Sequence, residues 1–410
     1  MSVQSRFVIG GRSGGRALLV LSAAQFFALT LWFSAAAVVP QLIAYWGLSG
    51  LEVDLLSTAV TAGFVVGCLV SSFLNIPDII EAKNVFAASA LAGGLCNSIP
   101  SVAPTLPAAL LSRFLTGAFL AGVYPTGMKL AATWFREGRG FAIGVIVASL
   151  TVGSGLPYLF NLTGIPDWRA ILNVSTGLSA LGGAMVWAFV EEGPYIAGVS
   201  RFDPRIVRRI IGDRALLLAN LGYFGHQWEL YAMWVWMPLF LRESYLHRYA
   251  GSDPTWFFSA GSFLIFLAGA LATGAGGRLA DAYGRTAFNM LLLAMSGAGA
   301  LTVGLFFDRP YAALAVAVFW GATVIPDSPQ YSSMVTELAE RAYVGTALTL
   351  QTAVGFLLTI VSIRIVPVMV RAVGWSHCFT VLAPGPLVGI LALYLLRRHP
   401  DSRKIALGKR

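Results

Sequence analysis

The stretch Glu191–Arg214, EEGPYIAGVSRFDPRIVRRIIGDR, is the one long polar interruption in the middle of this chain. It contains five arginines and no long apolar run, and the sequence on both sides of it is mostly apolar. We interpret it as a cytosolic loop between two groups of membrane helices. The predicted domains are residues 1–192 and 215–410, with 193–214 as the linker.

The composition predicts a membrane protein. A chain of 410 residues that is 57% hydrophobic and 11% charged, with a mean hydropathy of +0.73, has more apolar surface than a soluble core uses. Apolar runs long enough to cross a bilayer, about 20 residues, recur between short polar breaks. We expect an all-α fold with 12 transmembrane helices in two pseudo-symmetric six-helix bundles. The predicted spans one to twelve are 17–44, 53–75, 84–103, 107–134, 140–163, 169–191, 215–241, 255–276, 286–307, 311–335, 343–370 and 374–396.

The distribution of basic residues predicts the topology. The net charge is +9, and most Lys and Arg residues lie before span one, after span twelve and in alternate loops. This pattern places both termini in the cytosol and removes the nucleic-acid interpretation of a basic chain. Cys68, Cys96 and Cys378 lie in or beside predicted spans, which argues against a disulfide framework.

The two halves of the chain share a weak repeat. Asp78 corresponds to Asp281, Trp168 to Trp375, and Pro194 to Pro400. Transporters built from two parallel repeats leave this kind of trace in their sequence.

The segment 277–285, GRLADAYGR, is predicted to be a tight loop between spans eight and nine. Its glycines allow close helix approach, and Asp281 and Arg285 are placed to pair. Gly277, Asp281, Gly284 and Arg285 match the signature G-x-x-x-D-x-x-G-R, so the chain resembles the major facilitator superfamily. The resemblance implies that these four residues act in gating. The equivalent first-half loop keeps the acid, Asp78, and lacks both glycines.

Further motifs strengthen this resemblance and indicate a substrate class. Span four carries Arg113, Gly117, Gly122 and Tyr124, similar to the family's arginine-and-glycine pattern. The segments TWFREGRGFAIG and VGSGLPYLF resemble nitrate-like and cyanate-like porters of small anions and organic acids. Nitrate porters place arginines in spans two and eight, where this chain has none, so nitrate itself is disfavoured.

Glu229 is the deepest acid of the chain, near the middle of span seven. A charge at this depth is costly and marks a candidate site. Gly222, His226, Glu229 and Met233 share one helical face, so His226 and Glu229 can be neighbours. A proton-carrying pair and a pair that only holds helices together are both consistent with this spacing.

Asp327 and Gln330 lie in span ten beside Pro326 and Pro329, where the missing backbone donors predict a broken helix. They are candidates for substrate binding, and a simple proline kink is the alternative. Arg113 is a third candidate, for substrate contact or for helix packing. Lys129 and Arg364 lie near span ends and are expected to snorkel.

Gln25 and Trp32 in span one, with Tyr124 in span four, complete the predicted substrate and proton site. In the family that the chain resembles, span one lines the cavity, although aromatic stripes are more often core.

We therefore expect a secondary transporter of the inner or plasma membrane that moves a small anionic organic solute in symport with protons by alternating access. The chain has no G-x-x-x-x-G-K-[ST] nucleotide motif, so an ion gradient would supply the energy. We expect no enzyme activity, no cofactor and no metal, and a monomer in the bilayer. Export of cationic amphipathic compounds and a non-transporting sensor on the same fold are the alternatives.

Overall fold

The computed structural model describes residues 11–74, 76, 80–135, 139–163, 167–195, 207–340 and 344–410. Asp78 and residues 196–206 of the predicted linker lie outside these residues. Within them the protein is helical and contains no β-strand.

Every predicted span coincides with helix, so the all-α polytopic fold is confirmed. Span one consists of three consecutive helices, and spans four and ten of two each. The helices of spans one to six are Gly11–Ala28, Thr30–Ala37 and Val39–Trp46; Gly50–Phe73; Ala82–Val102; Leu106–Leu120 and Tyr124–Trp134; Arg139–Phe160; and Trp168–Phe189. Those of spans seven to twelve are Arg214–Arg248; Thr255–Tyr283; Arg285–Thr302; Pro310–Val324 and Ser328–Leu338; Val344–Val373; and Pro384–Arg398. A short helix, Val207–Gly212, precedes span seven.

In the described part of the chain, 11 helical segments are long and apolar enough to cross a membrane. Span seven is not among them, because Asn220, His226, Gln227 and Glu229 lower the hydropathy of its central turns. It is nevertheless a continuous helix of 35 residues. Its first turn is capped by Asp213, whose carboxylate accepts hydrogen bonds from the backbone N–H groups of Ala215 and Leu216.

Three predicted boundaries were wrong by seven residues or more. The α-helix of span twelve begins at Pro384 instead of residue 374. Span seven continues to Arg248 instead of ending at residue 241, and span eight continues to Tyr283 instead of ending at 276. Gly277 and Asp281 are therefore helical. The turn between spans eight and nine is reduced to Gly284, whose φ of 92° suits glycine.

The helices pack in two groups. Spans one to six contact one another extensively, as do spans seven to twelve, and the main contacts between the groups join span five to span eight and span two to span eleven. The division into residues 1–192, 193–214 and 215–410 stays a prediction.

Glycine allows the closest helix packing in the first half. A Cβ atom on Gly63 would lie 1.8 Å from the carbonyl oxygen of Phe114, and one on Gly117 would lie 1.9 Å from that of Val60. Spans two and four are thus in backbone contact, which no larger residue permits at these two positions.

The two ends of the helix bundle can be told apart by the chain termini. Gly14 lies near Trp134 at the end of span four, and Lys409 donates a hydrogen bond to the carbonyl of Asp281 at the end of span eight. We call this end the terminal face and the other end the opposite face.

Candidate functional site

Glu229 is completely buried in span seven. One carboxylate oxygen accepts a short hydrogen bond from the hydroxyl of Ser296 in span nine. The other, Oε2, has no hydrogen-bond partner among the described residues. An ionised carboxylate is costly to bury with so little compensation, so this position suits an acid that gains and loses a proton.

His226 has a different partner from the one predicted. Its Nδ1 lies 2.9 Å from Oδ1 of Asp327 in span ten, and both side chains are buried. Glu229 instead pairs with Ser296, so the expected His226–Glu229 neighbour pair is corrected to His226–Asp327. The physical reason is that span ten packs against span seven and brings a second acid to the same helical face.

Tyr331 completes this group. Its hydroxyl donates a hydrogen bond to Oδ2 of Asp327 at 3.1 Å, and its ring centroid lies 5.6 Å from that of His226. Asn289 of span nine donates to the carbonyl of Asp327 at 3.4 Å. Two acids and one histidine thus lie within a buried polar group between spans seven, nine and ten.

The predicted break in span ten is confirmed. The first helix ends at Val324 and the second begins at Ser328, with Asp327 in the N-cap position and no hydrogen bond from its side chain to the following backbone. The side chain of Asp327 is therefore directed to His226 and Tyr331. The break explains why an acid occurs at this depth.

Gln330 lies apart from this group, towards the terminal face. Its side-chain oxygen accepts a short hydrogen bond from Arg285. Arg285 also pairs with Asp281 at 3.2 Å and with Glu337 at 3.1 Å. The predicted Asp281–Arg285 pair is present, and Gln330 links it to the broken span.

The predicted close packing at Gly277 was wrong. Among the described residues, no atom of another helix lies within 4 Å of the position that a Cβ on Gly277 would take. The close approach occurs at the preceding residue, Gly276, where a Cβ would lie 3.0 Å from Pro326. Gly276 brings span eight against the break in span ten.

Arg113 is buried inside the first half. Its guanidinium donates hydrogen bonds to the carbonyls of Leu31 and Trp32 and, at 3.0 Å, to the side-chain oxygen of Asn97. Asn97 in turn donates to the carbonyl of Leu172. Arg113 therefore ties spans one, three and four together, and these contacts favour the helix-packing interpretation.

Gln25 also makes contacts within the first half. Its amide donates to the carbonyls of Val123 and Tyr124, where span four changes from one helix to the next. Tyr124 is partly buried and packs near Phe64, with ring centroids 6.4 Å apart. Both residues stabilise the junction between spans one and four.

Trp32 belongs to an aromatic cluster that bridges the two halves. Its ring centroid lies 5.0 Å from that of Phe64, 5.5 Å from that of Tyr231 and 5.8 Å from that of Phe356. We call this group, with Phe33, Trp234 and Phe266, the central aromatic cluster. A cavity of about 10 Å³, lined by Trp32, Phe33 and Val235 among others, has room for about one water molecule.

The predicted residues thus fall into separate places. His226, Asp327 and Glu229 lie together in the second half, and Gln330 contacts Arg285 of the gating motif. The first half contains Arg113, Gln25 and Tyr124. Trp32 lies between the halves.

The sequence interpretation missed three polar residues. Ser296 stands among small residues with no local signal. Asp54, near the start of span two, pairs with Arg364 of span eleven at 3.3 Å. An acid inside an apolar run was a visible signal for Asp54. Tyr331 follows Pro326 and Pro329 in span ten, and this position was only a weak signal for a site residue.

Comparison with known proteins gives a family and a fold. A model of the Major Facilitator Superfamily matches residues 21–326. A probable sulfoacetate transporter of Cupriavidus necator, SauU, is 23% identical over 189 residues, which cover 41% of this chain and 43% of that protein. The match thus spans less than half the length of this relative.

Two solved structures have similar folds. A bacterial homologue of the human lysosomal transporter Spinster, in an inward-facing and unoccupied conformation, has a TM-score of 0.64 at 13% identity, covering 96% of this chain and 98% of that one. A mutant of the nucleoside transporter NupG has a TM-score of 0.69 at 14% identity, covering 93% of this chain and 99% of that one.

Proposed function

This chain belongs to the major facilitator superfamily, and from that premise we propose that it transports a small anionic organic solute by proton-coupled alternating access. Its family and fold are those of multi-pass membrane transporters. The coupling ion, the substrate class, the membrane and the orientation are our proposals.

The buried state of Glu229 is the observation that carries proton coupling. A transporter that uses a proton gradient needs an acid whose charge state changes with conformation. Glu229 is completely buried, accepts a hydrogen bond from Ser296 and has no cationic partner among the described residues. Opening a water-filled path to it would favour the ionised form, because water would then solvate the charge. Glu229 would bind a proton while one face of the protein is open and release it while the other face is open.

Asp327 and His226 would assist in this step. Their 2.9 Å contact places an acid and a base together on the face of span seven that carries Glu229. We propose Glu229 as the proton carrier and His226–Asp327 as its partner pair.

The anionic substrate is supported by the relative named as a probable sulfoacetate transporter. Sulfoacetate carries a sulfonate and a carboxylate on two carbons, which agrees with the porters of small organic acids that the sequence resembles. Arg113 donates a hydrogen bond to the backbone carbonyl of Trp32 in span one. It would therefore affect substrate binding by holding Trp32 in position.

Liposomes containing the purified protein test this proposal. We expect uptake of radiolabelled sulfoacetate or a related small acid when the external pH is lower than the internal pH, and collapse of that uptake when a protonophore is added. Counterflow without a gradient should persist, because alternating access runs both ways. Binding without counterflow would support the sensor alternative.

One observation favours the export of cationic amphipathic compounds as a second candidate. The central aromatic cluster presents indole and phenol rings between the halves, and ring faces attract cations. Uptake of a lipophilic cation in place of an acid would select this candidate.

A further inference from the structure

Two buried hydrogen-bond donors without an acceptor pack against the same ring between the halves. The hydroxyl of Tyr158 in span five and the indole Nε1 of Trp234 in span seven have no hydrogen-bond partner among the described residues. Tyr158 stacks on Phe266 of span eight with ring centroids 6.1 Å apart, and Trp234 lies 4.8 Å from the same ring. Tyr158 is completely buried and Trp234 is 4% exposed.

Unsatisfied donors at this depth need an explanation, because burying a polar group without a hydrogen bond reduces stability. The neighbouring Trp236 shows the ordinary solution: its Nε1 donates to the carbonyl of Ile363 at 2.8 Å. Phenylalanine would fill the place of Tyr158 without that cost. Among the described residues, the hydroxyl is therefore free to donate to a ligand.

The location of the pair agrees with substrate binding. Tyr158 belongs to the first half, and Phe266 and Trp234 belong to the second, so the site is divided between halves that part when the carrier opens. Trp234 lies five residues beyond Glu229 on span seven, about 7.5 Å along the helix axis. A ligand held here is close enough to affect the proton site.

The chemistry of the donors selects the ligand. An indole N–H can only donate a hydrogen bond, and a phenol hydroxyl donates readily, so together they suit a group with two acceptor oxygens. A carboxylate or a sulfonate is such a group.

We propose that Tyr158 and Trp234 are specificity-determining residues that donate hydrogen bonds to the acidic oxygens of the substrate. This inference rests on the proposed function, because it assumes that the substrate is an anion. The central aromatic cluster would then hold the organic part of the same molecule.

Ring-preserving substitution tests the proposal. We expect Tyr158→Phe to raise the dissociation constants of acetate and isethionate about tenfold or more, because a hydrogen bond to a charged group is lost. The thermal midpoint of the ligand-free protein should stay the same or rise, because an unsatisfied hydroxyl is removed. Tryptophan fluorescence titration and thermal unfolding give the two readouts.

Trp234→Phe should also weaken binding of both anions. Trp236→Phe is the matched control, since its N–H already has a backbone acceptor. That variant should lower the thermal midpoint and leave both affinities unchanged. A loss of stability in Tyr158→Phe with unchanged anion affinity would show that the hydroxyl is structural and overturn the proposal.

Two further outcomes separate this inference from the proposed function. If Tyr158→Phe takes up the anion with the KM of the unmodified protein, the inference is wrong and anion transport stands. If the unmodified protein binds tetramethylammonium and neither anion, both are wrong. Weakened anion binding with a parallel rise in KM supports both.

Discussion

Glu229 has two properties that a proton carrier needs: it is deeply buried, and few hydrogen-bond donors contact its carboxylate. Within the described structure it accepts a hydrogen bond from Ser296, and its other oxygen has only the indole of Trp320 as a nearby donor, outside strict hydrogen-bond geometry. A purely structural acid at this depth would normally have its charge balanced by a cation or several donors. The nearby imidazole of His226 lies against Asp327 instead of Glu229.

We predict that Glu229→Gln abolishes proton-driven accumulation and retains exchange. The amide has the shape of the protonated acid and can still accept the hydrogen bond of Ser296, so folding and ligand binding should survive. The ratio of internal to external substrate should fall to about one under a pH gradient, since exchange only equalises the two sides. Liposome uptake and counterflow measure the two activities.

The control for this variant is Glu340→Gln. Glu340 is exposed and pairs with Arg209 on the terminal face, and its removal should leave accumulation intact. Continued accumulation by Glu229→Gln would move the proton carrier to Asp327. Complete loss of binding would make Glu229 a direct ligand and favour the cation exporter.

The sequence predicted which residues matter in this region better than it predicted their partners. Depth in a span and side-chain chemistry singled out Glu229, His226 and Asp327. Their pairing depends on how spans seven, nine and ten pack, and residues from 226 to 327 are far apart in the chain. Helical periodicity contains no information on such contacts.

Near the opposite face, an ion pair between Asp54 and Arg364 joins spans two and eleven across the two halves. Asp54 is 3% exposed and lies 3.3 Å from Arg364, which is 51% exposed. The half-exposed arginine can return to water when the helices part, whereas Asp54 is then left without its cation. The pair should therefore stabilise the conformation in which this face is closed.

We predict that Arg364→Gln lowers stability by about 1 to 3 kcal/mol, because it leaves a buried carboxylate unpaired. Adding Asp54→Asn should recover part of that loss, since the buried charge is then also removed. Thermal unfolding of the two single variants and the double variant measures the coupling.

An exposed pair provides the comparison. His247 and Asp308 lie 3.1 Å apart with both side chains more than half exposed, so Asp308→Asn should change the midpoint little. Additive effects of Asp54→Asn and Arg364→Gln would show that the two residues do not act as a pair.

The helices themselves were largely predictable, because apolar runs and prolines act locally. The break at Pro326 followed from missing backbone donors and was found where expected. The motif that begins at Gly277 was predicted to be a loop, but most of it continues the helix of span eight. Glycine there is compatible with a helix inside a packed bundle, so a glycine-rich sequence did not end span eight.

The orientation of the whole molecule stays a prediction from charge. We predict that a cysteine replacing Ser252, an exposed residue of the opposite face, reacts with an impermeant maleimide in intact cells. One replacing Arg403, exposed on the terminal face, should react only after permeabilisation. Cys68, Cys96 and Cys378 would first be replaced by serine to remove background. The reverse pattern would invert the topology.

The same two faces determine whether the molecule works by alternating access. Ser72 at the end of span two and Thr349 near the start of span eleven hold the halves together at the terminal face, with their hydroxyl oxygens 3.1 Å apart. Rocking of the halves requires this contact to open once in each cycle. A covalent link at this point should therefore stop transport without altering the fold.

We predict that oxidising a Ser72→Cys/Thr349→Cys double variant abolishes counterflow and that reduction restores it. Each single variant provides the control, because it carries one of the new thiols and cannot form the link. Binding of substrate from the opposite face should survive oxidation, since that face can still open. Full counterflow by a protein shown by mass spectrometry to be cross-linked would mean that the halves need not separate here, and the substrate path would have to lie within one half.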